Sequence, residues 1–594
     1  MGSPRLVADL VVDRLLDWGV SRIFGYSGDG LNTFLGALRR SGRPPFVQAR
    51  HEENAALMAV GHAKYTGEVG VVMSTQGPGA VHLLNGLYDA KLDHVPVVAI
   101  VGQQPTTVLG SEYQQEIDLT HLFKDVAAQF AQTVLSAEQA PMVLDRAFRT
   151  ARATRSPTVV VLPHDVQQRE MPDQPSHEHG VVVTTPEWRT PRVVPRQHDL
   201  EAAAKVLNEG ERVALLVGQG ARGAGELTRA VAERLGAGVT TSLLGKPWWD
   251  ESLAYSCGVM GHLGTTASGW LMEHCDTLLT VGSNDPWTEY YPAPGQARGV
   301  QVDLDGRHLG NRYPVEVGLV GDAADTLEAL LPLLDEKPGG GWIRDVTGQV
   351  ARWHDLAEER ASITAQPLNP ELVVRRLSRH LPGDAMVSVD VGSVTYWYAR
   401  HLRLPPGVPA HLSSTLASMG SGLPYGLAAK LASPGRPVVA LVGDGAMQMN
   451  GVTELITVSQ RWPDWEDPRF VVLVLSNRDL AEVTWEQREM EGDPRFDESQ
   501  SLPEFPYAGY AELLGLRGIR VDDPGDVDAA WAEALAADRP TVVEAVVDPD
   551  VPLLPPFPAG RQKLESFRSG LAQEGAGGEH ARELLDQQAR QEED

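Results

Sequence analysis

The stretch that most constrains this 594-residue chain runs from Pro437 to Asn477: PVVALVGDGAMQMNG, a helical stretch, then FVVLVLSN. Val438–Val442 has the length and β-branching of a strand covered on both faces, which belongs in a parallel sheet. It ends on Gly443-Asp444-Gly445, where glycines let a phosphate approach the backbone and Asp444 offers a hard oxygen ligand. A second apolar run, Phe470–Leu475, delivers Asn477 and Asp479. Magnesium takes about six oxygens, only one or two from carboxylates and several from phosphate and water. The Asp444 carboxylate, the Asn477 amide and a main-chain carbonyl at Asp479 meet that need when the ligand is a diphosphate. Taken alone, such a turn is also an ordinary strand–turn–helix with a surface aspartate.

Strand-like runs alternate with helical patterns along most of the chain, which predicts α/β architecture with parallel sheets. They group as Val20–Tyr26, Val71–Ser74, Val97–Val101 and Thr158–Leu162, then Val213–Val217, Thr277–Val281 and Gly299–Val302, then Ala385–Val389, Val438–Val442, Phe470–Leu475 and Thr541–Val546. Three doubly wound units are expected over residues 1–170, 196–335 and 367–550. Linkers over 171–195 and 336–366 join them, the second opening at Pro338, and a tail over 551–594 reads as frayed or as a solvated helix. The first and third units share a design, each ending a strand in a glycine-rich turn (Gln76-Gly77-Pro78-Gly79 and Gly443-Asp444-Gly445).

A net charge of −28 argues against nucleic acid and anionic membranes as partners, since the phosphate attraction is reversed. Two cysteines, Cys257 and Cys275, are too few for a disulfide framework and fit a reducing compartment. The first 20 residues carry Asp and Arg among their apolar positions and read as an amphipathic helix rather than a signal peptide. No run approaches about 18 apolar residues, so no membrane span is expected and a cytoplasmic protein is.

Arg50-His51-Glu52-Glu53-Asn54 opens a helix over Ala55–Tyr65. Carboxylates at a helix start are ordinarily caps or dipole partners. Around them stand Gly28-Asp29-Gly30-Leu31-Asn32, Gln76-Gly77-Pro78-Gly79, His82-Leu83-Leu84-Asn85-Gly86 and His94-Val95-Pro96. In this order and spacing, from about Leu6 to about Phe567, the chain resembles the thiamine diphosphate enzymes, above all pyruvate oxidases of the quinone-reducing kind, with acetolactate synthases as relatives. Asp444 and Asn477 are 33 positions apart, several more than the family's usual spacing, with the surplus in an inserted surface loop, Arg461–Pro468.

The resemblance implies a pyrimidine-binding first domain, a central FAD domain of the transhydrogenase-III kind and a diphosphate-binding third domain. It gives Glu52 the bond to the aminopyrimidine, where a desolvated carboxyl shares a proton with a ring nitrogen. Glu53 becomes a bland neighbour that caps or faces solvent. Met419, in Leu416–Pro424, takes the place of the wedge that folds the cofactor, although a methionine there is also ordinary core packing. Gly28, Asp29 and Gly77 join the pyrimidine side, and Gly443, Gly445 and Ala446 the diphosphate side, with Asp444, Asn477 and Asp479 on Mg²⁺. Gln115 matches a glutamine that orients substrate, but the aromatic before it is replaced by Gln114, which puts the substrate in doubt. His82 is either a donor to substrate or a structural histidine. Glu486 is either a carboxylate over the pocket or exposed helix surface.

Gly218-Gln219-Gly220-Ala221-Arg222-Gly223 follows a strand but lacks the acidic residue of a dinucleotide fingerprint about 20 positions on. The segments that resemble the oxidases' FAD site hold Gly261 and His262, then Ser283, Asn284 and Trp287, then Asp303. The resemblance thus implies thiamine diphosphate, Mg²⁺ and FAD, a homodimer or homotetramer with sites between subunits, and oxidative decarboxylation of a 2-keto acid, pyruvate first. Carboligation or simple decarboxylation are the alternatives, and a silent regulatory paralogue is a further class. Lys563–Leu571 has amphipathic character beside an acidic tail, so membrane contact is expected to be weak or absent.

Overall fold

A computed structural model describes residues 5–171, 178–337 and 339–593. The first linker therefore lies in part outside the described residues, as does Pro338. Three six-stranded, all-parallel sheets carry the chain. The first is built from β1 (Ile23–Gly25), β2 (Phe46–Gln48), β3 (Gly70–Ser74), β4 (Val97–Gln103), β5 (Ala131–Thr133) and β6 (Pro157–Pro163), in the order β2-β1-β3-β4-β6-β5. The second holds β7 (Val213–Val217), β8 (Gly238–Thr241), β9 (Ser256–Val259), β10 (Thr277–Val281), β11 (Arg298–Asp303) and β12 (Val317–Val320), ordered β12-β11-β10-β7-β8-β9. The third holds β13 (Met386–Val389), β14 (Ala410–His411), β15 (Val438–Gly443), β16 (Phe470–Ser476), β17 (Arg517–Val521) and β18 (Thr541–Val546), ordered β14-β13-β15-β16-β18-β17. The first and third orders are the same, so the shared design extends to topology. The middle order reverses direction between β7 and β10, and in such sheets a crevice opens at the carboxyl ends of the strands beside the reversal.

The central strands are buried along their whole length, as β4, β6, β7, β10 and β16 illustrate. Helices therefore cover both sheet faces, and the β-branched runs need no alternation. One apolar cluster extends from the first sheet into the third through Ala56, Leu57 and Val60 on one side and Tyr425, Ala428 and Ala429 on the other. The Arg461–Pro468 insertion is anchored rather than free: Trp465 is buried against Phe470, ring centroids 5.5 Å apart, with the Lys430 ammonium 5.4 Å from its ring centroid.

The tail departs from expectation. It forms two helices, Ala559–Gln573 and Glu579–Glu593, whose Leu564, Phe567, Leu571, Leu584, Leu585 and Ala589 are buried in the third unit's core. The apolar face of Lys563–Leu571 is thus spent on protein. A charge count over the tail hides this, because the acids serve as ties. Glu592 pairs with Arg360 at 2.7 Å, both side chains about fully buried, and accepts the Phe557 N–H. Glu574 grips Arg488 with both oxygens at 2.8 and 2.9 Å. Among the described residues, no helix is long and apolar enough to cross a membrane.

Removing one partner of a buried ion pair strands the other charge and costs about 3–5 kcal/mol. Glu592→Ala is therefore expected to lower the unfolding free energy measured in urea by that order, with a lower midpoint, and Arg360→Met with Glu592→Leu together to restore most of it. A Glu592→Ala midpoint equal to wild type would show that the tail is not an integral part of the third unit.

Candidate functional site

Parallel strands end on one edge, so the loops after β13, β15 and β16 converge. They form a cleft lined by Val391–Val394, Met419, Gly443–Ala446, Leu475, Asn477 and Asp479–Val483. Asp444 opens a short helix that passes through a π-turn, Met447–Gly451, into Val452–Arg461. Such wide turns recur at functional sites. Each oxygen of Asp444 accepts one main-chain N–H, Oδ2 from Arg478 at 2.6 Å and Oδ1 from Gly445 at 2.9 Å, which leaves lone pairs free. Asn477 Oδ1 accepts the Asp479 N–H at 3.0 Å, and Arg478 between them takes a left-handed φ of 55°. The Asp479 carboxylate faces Arg495 at 3.3 Å, so its main-chain carbonyl is the group free to act as a ligand.

Met419 is placed by Asp390 at the end of β13. That buried carboxylate accepts the N–H groups of Gly420 and Gly422, both at 2.8 Å, and burial pushes it up to about 6. A Cβ on Gly445 would lie 3.2 Å from Met419 Cε and 2.8 Å from a Leu480 methyl, while nothing stands within 4 Å of a Cβ on Gly443. The methionine therefore overhangs the turn, and the opening beside Gly443 is a cradle for a group of some size. The donor set is hard oxygen throughout and fits a cation-bound diphosphate. No sequence signal marked Asp390 beyond its place at a strand end. Glu482 also lines this cleft, one helical turn before the expected Glu486. Burial and the neighbouring Glu486 push Glu482 up to about 7.

In the first unit, Glu52 is the first residue of the helix Glu52–Thr66, and His51 caps it by accepting the Glu53 N–H. The Glu52 carboxylate lies 3.0 Å from His82 Nδ1, and a Cβ on Gly79 would come within 3.2 Å of its other oxygen. The half-exposed His82 stacks obliquely on His51, ring centroids 4.4 Å apart. Asp29, Gln76 and Gln115 join in one chain: Gln76 Nε2 donates to Gln115 Oε1 at 3.1 Å and to Asp29 Oδ1 at 3.3 Å. Gly77 is left-handed at φ 59° and faces Gln115, so the expected Gly28–Asn32 loop, Gly77 turn and Gln115 do assemble.

Glu53 departs from its expected bland role. Its Oε1 accepts from Asn85 at 2.7 Å and from Asn450 at 3.1 Å, and Asn85 also donates to Ser418, next to Met419, at 2.6 Å. The pair Glu52-Glu53 thus divides its work, Glu53 stapling the first unit to the third. Glu52 is not among the residues lining the Asp444 cleft.

The middle unit's crevice sits at its reversal point, lined by Gln219, Gly220, Gly282–Pro286, Asp303, His308 and Arg312. Of the expected residues, Ser283, Asn284 and Asp303 line it. Gly261, His262 and Trp287 form a neighbouring cluster, with His262 stacked on Trp287 at 5.2 Å. The discounted Gly218–Gly223 turn earns its glycines by packing, since a Cβ on Gly218 would lie 2.2 Å from the Gly282 carbonyl oxygen. The first unit adds His94 and Arg155 to the lining, both left-handed non-glycine residues, with φ of 56° and 46°. Their backbone strain is the signal the sequence could not carry. The Ser283 hydroxyl is buried there with no hydrogen-bond partner. Two guanidiniums, Arg155 and Arg312, beside an orphaned donor suit a nucleotide diphosphate.

Burial pushes the Asp444 carboxyl up to about 7 against the main-chain N–H groups that favour its ionised form. The unfolded chain releases this proton near pH 4, before the folded one does, so the group lowers stability progressively from about pH 4 to about pH 7. In cofactor-free protein, Asp444→Asn is expected to raise the melting temperature at about pH 8 and to change it little at about pH 4. Equal shifts at both pH values would contradict this.

Three family models match in order: the thiamine pyrophosphate enzyme N-terminal TPP binding domain over residues 5–122, the central domain over 200–330 and the C-terminal TPP binding domain over 390–545. A Bacillus subtilis (strain 168) protein named as thiamine pyrophosphate-containing, YdaP, is 35% identical over 93% of this chain and 93% of its own length. The acetolactate synthase isozyme 3 large subunit of Escherichia coli (strain K12) is 31% identical over 91% and 94%, and the pyruvate oxidase of Lactiplantibacillus plantarum 29% over 96% and 92%. The chain belongs to the thiamine pyrophosphate enzyme family.

Proposed function

We propose that the protein carries out thiamine diphosphate-dependent oxidative decarboxylation of a 2-keto acid, pyruvate first, with electrons passed to FAD. The observation that carries this reading is the oxygen-lined cleft at Asp444, Asn477 and Asp479 beneath Met419. Thiamine diphosphate, when bound, supplies a nucleophilic carbon and an electron sink for decarboxylation. The chain's own groups do the rest. Asp444, Asn477 and the Asp479 carbonyl hold Mg²⁺ and through it the diphosphate. Met419, overhanging the cleft, would be the apolar wedge against which the cofactor rests. Glu52 holds a proton at the pyrimidine ring nitrogen, and His82, at 3.0 Å, orients its carboxylate. Gln115 and His82 present N–H donors to the keto acid.

Glu52 stands outside the Asp444 cleft of its own chain, which supports a dimer in which one subunit's Glu52 faces the partner's cleft. FAD is supported by the Arg155 and Arg312 guanidiniums in the crevice lining and by the unpartnered Ser283 hydroxyl. Carboligation is the second reading, favoured by Gln114 in place of an aromatic and by the likeness to an acetolactate synthase.

Pyruvate added anaerobically to the purified protein with thiamine diphosphate and Mg²⁺ decides between them. Bleaching of a flavin band with acetate as product is expected, whereas an unbleached flavin with an acyloin product selects carboligation. Glu52→Gln is expected to cut turnover by at least about 10²-fold while thiamine diphosphate affinity changes little. Near-normal turnover of that variant would end the assignment of Glu52.

A further inference from the structure

Two helices start in the Asp444 cleft and finish on the same loop of the middle unit. The helix Ser393–His401 follows β13 through Gly392, whose φ is 124°, and Val391–Val394 line the cleft. Seven residues on, the guanidinium of Arg400 donates from Nη2 to the His262 carbonyl at 3.0 Å and from Nε to the Gly264 and Leu263 carbonyls at 3.0 and 3.4 Å. The helix Ala481–Met490 likewise begins with cleft-lining residues and ends with Glu489, whose carboxylate lies 3.3 Å from His262 Nε2 and also takes Lys563.

Arg400 is an unusual cation for such a molecule. It is 7% exposed, yet among the described residues it forms no ion pair, in a chain with 79 acidic side chains. A buried guanidinium is normally matched to a carboxylate fork. Here its donors go to three consecutive main-chain carbonyls, and its face lies over Tyr396, 5.2 Å from the ring centroid. It sits in the last helical turn, where a cation also suits the helix dipole.

The loop it holds has little freedom left. Gly261 is left-handed at φ 91°, and a Cβ there would lie 2.8 Å from Trp287. The His262 ring stacks on Trp287, and its Nδ1 is 3.3 Å from the Tyr290 hydroxyl. A nine-residue helix spans roughly 13 Å at about 1.5 Å per residue, so the cleft and the loop are joined by a short rigid rod.

We propose that Arg400 is a positioning residue: it sets the His262–Gly264 loop at one distance from the Asp444 cleft, so that a flavin held by the middle unit and a thiamine in the cleft keep a fixed relation within one chain. The inference rests on the flavin reading above. Misplacement of reacting groups by about 1 Å can cost 10²-fold in rate, so a rigid tie of this kind matters to the transfer of electrons and not only to stability.

The test compares wild type, Arg400→Lys and Arg400→Met, each loaded with thiamine diphosphate and Mg²⁺. Hydrogen exchange at amides 260–264 is expected to rise at least about tenfold in Arg400→Met, with amides 395–399 unchanged. The flavin midpoint potential should shift and flavin reduction by pyruvate should slow, while the thiamine diphosphate Kd stays within about threefold. Arg400→Lys, a compact charge that reaches fewer carbonyls, should fall between the two. Unchanged protection of 260–264 in Arg400→Met overturns the proposal, as does loss of protection spread equally over the helix. If the wild type binds no flavin, the flavin reading falls, and with it the stated purpose of the tie. A wild type that reduces flavin normally alongside an indistinguishable Arg400→Met sinks the positioning role alone.

Discussion

The packing of the helix Glu52–Thr66 on the helix Gly422–Ala432 is the contact on which the rest of the molecule depends. Gly61 permits it, since a Cβ there would already stand 3.0 Å from the Tyr425 Cα. Beside it Lys64 is buried and satisfied twice, by Asp93 at 2.6 Å and by the Leu412 carbonyl at 2.7 Å. Asp93 in turn accepts the N–H groups of Ser414 and Thr415. Such a buried network is neutral at best in net free energy, but it tolerates only one geometry. It fixes the loop that runs through Ser418 and Met419, so the register of two units and the height of the methionine over the Asp444 cleft are set by the same few bonds.

The acids that matter are held at a cost to the fold. Asp390, Asp444 and Glu482 lie in or beside one cleft, each raised by desolvation, and Arg478 and Ala417 carry left-handed backbone next to them. Strain and desolvation gathered in one place fit a site built for a cation and its anionic ligand. The carboxylates of the tail show the opposite case. The Glu592 side chain is buried and that of Glu574 largely so, but each meets an arginine, and they fasten helices rather than await a ligand.

The central strands were legible because a parallel sheet hides both faces and so writes itself as a continuous β-branched run. The edges were not. β14 has only two residues, β17 reads Arg-Gly-Ile-Arg-Val, and β12 leaves half its residues exposed, so none buries enough apolar surface to leave a pattern. In the site, main-chain ligands and glycine turns could be read from residue type. What could not be read is which of two adjacent acids turns inward. Glu52 and Glu53 differ by about 100° around a helix, and the choice between them is made by neighbours, since Asn85 and Asn450 hold Glu53; Glu482 and Glu486 lie one turn apart, and of the two it is Glu482 that lines the cleft. The tail was misjudged for a related reason: an acidic composition does not reveal that arginines on other elements are waiting for it.

The identical strand order of the first and third sheets gives this choice its meaning. Two copies of one topology present equivalent edges, and evolution of loops on those edges is free to make one edge an acid-bearing face and the other an oxygen cradle. On the proposed reading the two halves depend on each other: the Glu52 carboxyl needs the cradle to bring it a cofactor, and the cradle needs the carboxyl to activate one. The middle unit, with its different order, adds a crevice that the first unit's His94 and Arg155 and the third unit's Ser414 and Thr415 also line. Because Ser414 and Thr415 are the same residues whose amides hold Asp93, the network that sets Met419 over its cleft borders the middle unit's crevice too, and a ligand in either place must meet a wall already fixed by the packing of two helices at Gly61.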